Sequence, residues 1–293
     1  MKALVISGGG SKGAFAGGIA EYLIREKKND YNIFVGTSTG SLMLTHLALG
    51  KVKELKKLYS NVDQHAIFSI CPFRIKKTGG QVSVGINHFN TLRNFLRGSK
   101  TFGESHNLKK LIDENIKDHD LKKLNKTGKI VLATVSNLTL NQVEFKAASE
   151  HSYQDFRDFI WASSNFVPFM SLMVKNNYEY ADGGFANLVP IHEAIRQGAT
   201  EIDAIVLETE ISQVNRMPSK NPFGLITNLF SYMQMHVEKY NISIGKLEAE
   251  QNKVKLNLYY TPMILTTNTL IFDKDKMRKW WRDGFNYAKK KHD

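Results

Sequence analysis

The chain has one cysteine, Cys71, in 293 residues. An internal disulfide is therefore excluded, as is any cysteine-built metal cluster, and the disulfide-rich secreted folds go with them. Long apolar runs are also missing. The longest, IVLAT and AIVLE, fall far short of the ~20 residues of a membrane-spanning helix. The nine histidines form no H-E-x-x-H motif and do not cluster with cysteine, and no EF-hand loop is present, so no metal and no organic cofactor are expected. Acidic residues are the scarcer charge, 28 against 40 lysines and arginines, for a net +12. That surplus suits an anionic partner. The lysines lie in short scattered clusters without a nucleic-acid motif, so no nucleic-acid partner is expected and an anionic membrane surface is the better match. The start, MKALVISGGG, reads as a first strand rather than a signal peptide, so a cytoplasmic protein is the default expectation. Peripheral membrane association and export without a signal both stay compatible with it.

Hydrophobic residues at 42% and charged residues at 23% are ordinary globular values. The opening runs strand (residues 3–7), glycine loop, helix, strand (NIFVGTS), small-residue turn, helix. This βαβα order implies a parallel sheet covered by helices, hence an α/β fold of three α/β/α layers. Further strands are expected at KIVLATVS, QVEFKA, YEYAD, IDAIVLET and KLNLYYT. Helices are expected at Leu42–Leu49, Val52–Tyr59, Leu108–Ile116, Tyr153–Ser163, Ile191–Gln197, Leu225–Leu247 and Met277–Lys289. Residues 65–103 show little periodicity and read as an insertion over one end of the sheet. The rest forms one domain, with core motifs over 3–210 and an extension over about 211–293.

Two stretches carry chemistry. In ISGGGSKGAF, Gly8, Gly10 and Gly13 satisfy G-x-G-x-x-G between a strand and a helix, the dinucleotide-binding pattern. The acidic residue that should close the second strand is absent, because that strand ends in Val35-Gly36-Thr37-Ser38. The same loop also suits an anion cradle, in which glycine N–H groups at a helix N-terminus face developing negative charge. It also suits a plain tight turn. In FVGTSTGSL, Ser38 stands between Gly36 and Gly40 after an apolar strand and before a helix, where a nucleophile turn needs small flanking residues. A histidine partner for Ser38 would have to be His192, His236 or His292.

The glycine loop and the GTSTG turn, one helix and one strand apart, resemble the patatin-like phospholipase family. Two further stretches share its pattern: the Ala162-Ser163 segment with Pro168 after it, and Asp182-Gly183-Gly184 in YEYADGGFANLVP. The four motifs span residues 3–190, and beyond about 200 the likeness is only general. Lys12 stands where the family often has arginine. The resemblance implies a lipid acyl hydrolase with a patatin-like fold and a serine–aspartate dyad. Ser38 would be its nucleophile and Asp182 its general base, supported by Gly183 and Gly184. The oxyanion loop would be Gly8, Gly9, Gly10, Ser11, Lys12 and Gly13, and the substrate a phospholipid or other acyl ester. Phe166, Phe169, Met170 and Leu172 are the expected acyl-pocket wall. Rival readings are a dinucleotide-binding protein, an acyl carrier acyltransferase of related fold that would need a histidine, and an idle lipid-binding module. A Met-rich stretch from Asn221 reads as a packing helix or a lipid-facing flap. Trp280 and Trp281 read as core residues or as an interfacial anchor.

Overall fold

A computed structural model describes residues 1–78, 81–211, 219 and 222–293. The chain runs β1 (Lys2–Ile6), α1 (Gly13–Glu21), β2 (Ile33–Thr37), α2 (Thr39–Ala48), α3 (Val52–Tyr59), α4 (Gln64–Ile67), β3 (Phe73–Thr78), β4 (Gln81–Ile86) and α5 (His88–Leu96). Next come α6 (His106–Asn115), α7 (Asp118–Asn125), β5 (Ile130–Asn137), β6 (Gln142–Ala147), α8 (Tyr153–Ser163), β7 (Met173–Lys175) and β8 (Tyr178–Asp182). The last elements are α9 (Ile191–Arg196), β9 (Glu201–Val206), α10 (Pro222–Gln251), β10 (Lys255–Tyr260) and α11 (Lys274–His292).

The main sheet has the order β10-β9-β1-β2-β5-β8-β7, with β6 also on β5. The first five strands are parallel, and β6, β8 and β7 run against their neighbours. Side chains of period two divide the core into two faces. Leu4, Ile6, Phe34, Val131 and Ala133 pack under α1, α2, α8 and α11, while Ala3, Val5, Ile33, Val35 and Leu132 pack under α9 and α10. Residues buried on both faces explain why β1 and β2 read as continuous apolar runs. The expected α/β fold with a mainly parallel sheet is the observed one, and β10 carries the C-terminal segment into the same sheet.

Residues 65–103 differ from the irregular insertion expected of them. They hold the end of α4, the β3–β4 hairpin and α5, with residues 79 and 80 outside the described set. Their pattern escaped the periodicity argument because α5 turns large apolar side chains to solvent, with Phe89 74% and Leu96 80% exposed. The helix α7 and the three-residue β7 were likewise unanticipated, β7 being too short for a periodic signal. The stretch expected to start a flap at Asn221 begins outside the described residues, and the described helix runs from Pro222.

The anchor reading of Trp280 and Trp281 is corrected, since both are buried. Trp281 lies across Gly17 and Gly18 of α1, where any Cβ would collide with its ring or backbone. Its indole N–H donates to Glu21 at 2.6 Å, and Glu21 also meets Lys56 at 2.9 Å. The first and last helices are thereby locked together. Trp281→Ala is expected to destabilise the fold by about 3–5 kcal/mol, read as the shift in urea unfolding midpoint, while Glu250→Ala on the exposed face of α10 should move it little.

Candidate active site

β2 and β8 meet nearly end to end beside β5. Thr37, the last residue of β2, pairs with Thr134, and Asp182, the last of β8, pairs with the next residue, Val135. This register brings together two side chains 144 positions apart in sequence, Ser38 and Asp182. The Ser38 side chain faces the same cavity as the Asp182 carboxylate and lies near enough to favour its charged form.

Ser38 has φ 55° and ψ −123°, a conformation that costs an L-residue on the order of 1–3 kcal/mol. A Cβ at Gly40 would strike the Ile6 carbonyl oxygen, and one at Gly36 would strike the Gly40 backbone. The two glycines expected around the turn are therefore required by space. The Ala-Ser segment at the end of α8 holds the strained turn. Ser38 N–H donates to Ser163 Oγ at 3.0 Å, and Ser164 Oγ donates to the Ser38 carbonyl at 3.2 Å. Ser41 Oγ donates to the Gly36 carbonyl at 2.7 Å, so in its 2.8 Å contact with Ser163 Oγ the latter is the donor. Motif arguments gave Ser163 and Ser164 no role. The buried hydroxyl chain supplies one, and two adjacent serines before a proline were its only signal.

Asp182 is buried, and loss of solvation pushes its carboxyl from 3.8 up to about 7, against the lowering pull of the Ser38 hydroxyl and the Gly184 N–H. The Gly184 N–H reaches Oδ1 at 2.8 Å. The Asp182 backbone is tied at both ends, its N–H to the Asn165 carbonyl at 3.0 Å and its carbonyl to Ser136 Oγ at 2.9 Å. Gly183 passes so close to the Thr134 carbonyl that no Cβ fits.

The glycine loop divides unevenly. Gly8 N–H donates to Leu188, Ser11 N–H to Thr269 at 2.8 Å, and Lys12 N–H to Gly9. Gly13 N–H turns back to Gly10 and Ser11. Among the described residues only Gly9 and Gly10 in this loop keep an N–H without a partner, and both line the cavity that holds Ser38. Ser11, expected to donate, is corrected: the Thr269 carbonyl occupies its N–H. Neither Ser11 nor Gly13 reaches the cavity wall. Lys12 does, but its ammonium pairs with Glu208. Thr39, opening α2, lines the same cavity with an unpartnered N–H, a donor that motif spacing alone did not single out.

The cavity has a volume of about 370 Å³. One side is apolar, with Leu42, Ile67, Leu108, Phe166, Met170 and Phe272. It shares the wall residues Thr39, Leu42, Ile67, Leu108 and Phe272 with a second, almost wholly apolar space of about 70 Å³ between α2, α3 and α6, lined also by Leu55, Leu58, Leu111 and Ile112. Of the expected acyl wall, Phe166 and Met170 line the cavity, whereas Phe169 and Leu172 do not. The Phe169 ring is taken up by Phe73, Phe102, Phe166 and Phe230, and so backs the wall. Met235 of α10 lines the cavity, and Phe230 packs on Phe166 and Phe185, so that helix covers the site. No histidine among the described residues lines the main cavity, and His46 lies on the adjoining apolar space. His192 pairs with Glu248 at 2.6 Å, His236 lies against Tyr232, and His292 meets Tyr259 at 2.9 Å.

Comparison with known proteins places this geometry in a family. A family model described as patatin-like phospholipase matches residues 4–195. Uncharacterized protein L620 of Acanthamoeba polyphaga mimivirus is 25% identical over 301 aligned positions, covering 84% of this chain and 80% of that protein. Uncharacterized protein YjjU of Escherichia coli K12 is 26% identical over 290 positions, covering 89% and 68%. The crystal structure of VipD from Legionella pneumophila shares the fold, with a TM-score of 0.50 at 14% identity, over 99% of this chain and 66% of that one. The family match covers most of the chain and contains all four motifs, so the chain belongs to the patatin-like phospholipase family.

Proposed function

We propose that the protein is a lipid acyl hydrolase that cleaves carboxylic esters of phospholipids or lysophospholipids through Ser38 and Asp182. The observation that carries this reading is the meeting of Ser38 with a buried, weakly acidic Asp182 in a cavity with an apolar side. Ser38 Oγ attacks the ester carbonyl while its proton passes to Asp182. The oxyanion of the tetrahedral intermediate accepts from the N–H groups of Gly9 and Gly10, with Thr39 N–H as a further donor. Collapse breaks the bond to the alcohol oxygen, which takes the proton from Asp182 and leaves. Water then attacks the acyl-enzyme and gives its proton to Asp182. The fatty acid departs as that proton returns to Ser38 Oγ.

An aspartate of ordinary acidity would be a poor base for a serine hydroxyl. Burial narrows the gap by raising its proton affinity to near neutral. The acyltransferase reading needs a histidine beside Ser38, and none among the described residues lines the main cavity. The dinucleotide reading needs a carboxylate at the end of β2, where Thr37 stands.

We further propose peripheral contact with anionic membranes. No helix among the described residues is long and apolar enough to cross a bilayer. On α5, Phe89, Leu92, Phe95 and Leu96 face solvent beside Arg93 and Arg97, which lack carboxylate partners among the described residues. Phe95 connects through Phe102 and Phe169 to Phe166 in the cavity wall, so this face adjoins the site. Apolar side chains flanked by cations are what an anionic interface receives.

Ser38→Ala and Asp182→Asn should each lower hydrolysis of p-nitrophenyl butyrate and of a fluorogenic phospholipid by at least ~10³-fold with unchanged circular dichroism. An Asp182→Asn variant that keeps most of the rate would place the base elsewhere. In the parent, kcat/KM should rise about tenfold per pH unit below 7 and level off above it, since only the carboxylate accepts the Ser38 proton. Stability should respond with the opposite sign. Between 3.8 and about 7 the folded state keeps a proton that the unfolded chain releases, so Asp182 lowers stability as pH rises through that window. Asp182→Asn should therefore be more stable than the parent at pH 8, by roughly 2–4 kcal/mol in urea unfolding, and equal stability at pH 8 would contradict the buried-carboxylate account. Phe89→Glu with Leu96→Glu should cut sedimentation with phosphatidylglycerol vesicles at least fivefold, and parent binding indifferent to vesicle charge and salt would remove the membrane reading.

A further inference from the structure

The wall of the cavity also has a polar part, and its ionisable groups run against the charge of the whole protein. The chain is +12, yet the charged side chains lining the cavity are three acids, Asp182, Glu208 and Glu238, and one base, Lys12. Lys12 is already paired with Glu208. Glu238 of α10 lines this part and is only 6% exposed, and no hydrogen bond or ion pair to it is formed by the described residues. The threonines Thr266, Thr267 and Thr269 complete the wall. A carboxyl group largely withdrawn from bulk water and left without a protein partner is costly, and nothing in the dyad chemistry uses it.

We propose that this polar part is a leaving-group site for an ammonium-bearing alcohol, with the Glu238 carboxylate as its counter-ion and the threonine hydroxyls as its rim. The proposal rests on the acyl-ester reading of the cavity and adds the class of head that the ester carries. An anionic head alone fits poorly, because Lys12 is already neutralised by Glu208 and no other cation among the described residues lines the cavity. A cation supplies the missing partner. Burial and the neighbouring Glu208 push the Glu238 carboxyl up to about 8, partly offset by Lys12 and Lys239, so the empty site holds a proton there. An arriving ammonium favours its release and converts an unpaired acid into a buried ion pair. The acyl chain then takes the apolar side towards Leu55 and Ile112, and the ester carbonyl lies between it and the polar part, at Ser38.

Two measurements test this, and the first does not need catalysis. With Ser38→Ala protein, titration calorimetry at pH 7.5 should show n-octylammonium binding at least tenfold tighter than n-octanol, and Glu238→Gln should remove that difference. Equal binding of the two ligands, or a difference that survives Glu238→Gln, overturns the proposal. This holds whether or not the protein hydrolyses esters. The second measurement compares kcat/KM for lysophosphatidylethanolamine, for a phosphate-free acylcholine and for a monoacylglycerol. In the parent the amine esters should be favoured, and in Glu238→Gln the ratio of amine to neutral ester should fall at least tenfold. Preference for both amine esters assigns a general ammonium site, while preference confined to the phosphate-bearing one assigns a zwitterionic lipid head. A ratio near one in the parent, or one unchanged by the substitution, overturns it, while no hydrolysis of any ester by the parent would count against the acyl hydrolase reading.

Discussion

The site depends on the register of β5. Its lower half pairs with β2 up to Thr134 and its upper half with β8 from Val135, so two strands of opposite direction end at the same point. A chain leaving β2 must turn sharply to avoid β8, and a chain leaving β8 must turn sharply to avoid β2. Ser38 and Asp182 are the residues at those two turns. A shift of β8 by one residue would send the Asp182 side chain to the other face of the sheet, so this pairing matters more to the chemistry than any single contact around it. Gly183, crowded against Thr134, and Ser136, which holds the Asp182 carbonyl, keep that register in place.

Two local costs follow from the arrangement, and neighbouring segments offset each of them. The left-handed backbone at Ser38 is held by Ser163 and Ser164, which bond its N–H and its carbonyl. The buried carboxylate at Asp182 receives one N–H, from Gly184, with the Ser38 hydroxyl near it, less than a fully ionised buried group would need. Its solvation is thus left incomplete, and the same deficit makes it basic. A better hydrogen-bonded aspartate would stabilise the fold and weaken the base.

Much of this was legible in the sequence for a physical reason: buried parallel strands and space-limited turns leave strong local marks. The continuous apolar runs at 3–7 and 130–136 gave β1 and β5, and Gly36 and Gly40 marked a backbone with no room for side chains. Donor geometry was not legible. Whether Ser11 offers a free N–H depends on Thr269, more than 200 residues away, whose carbonyl closes that donor. The acyl wall was half legible, because Phe166 and Phe169 are alike in composition and are separated only by which ring faces the cavity. The hairpin at 73–86 does alternate, with Phe73, Ile75, Val84 and Ile86 less exposed than Arg74, Lys76 and Ser83, whereas α5 was missed because its large apolar side chains face solvent, against the inside–outside rule on which periodicity arguments rest.

That exception bears on how the charge of the chain is used. A uniformly basic protein would draw anions everywhere, including into its cavity, where they would compete with the developing oxyanion for Gly9 and Gly10. Here the only cation in the cavity wall among the described residues is paired with Glu208, and Arg93 and Arg97, without carboxylate partners among the described residues, sit on α5 and at its end. Attraction to an anionic surface and stabilisation of a transient anion are then separate tasks in separate places. The transient charge on the ester oxygen meets N–H dipoles rather than a mobile ammonium group. Fixed dipoles need little reorganisation when the charge appears, and they do not hold an anionic product after it has formed as a free lysine would. With Lys12 held by Glu208, the loop can serve the transition state while the surface serves the interface.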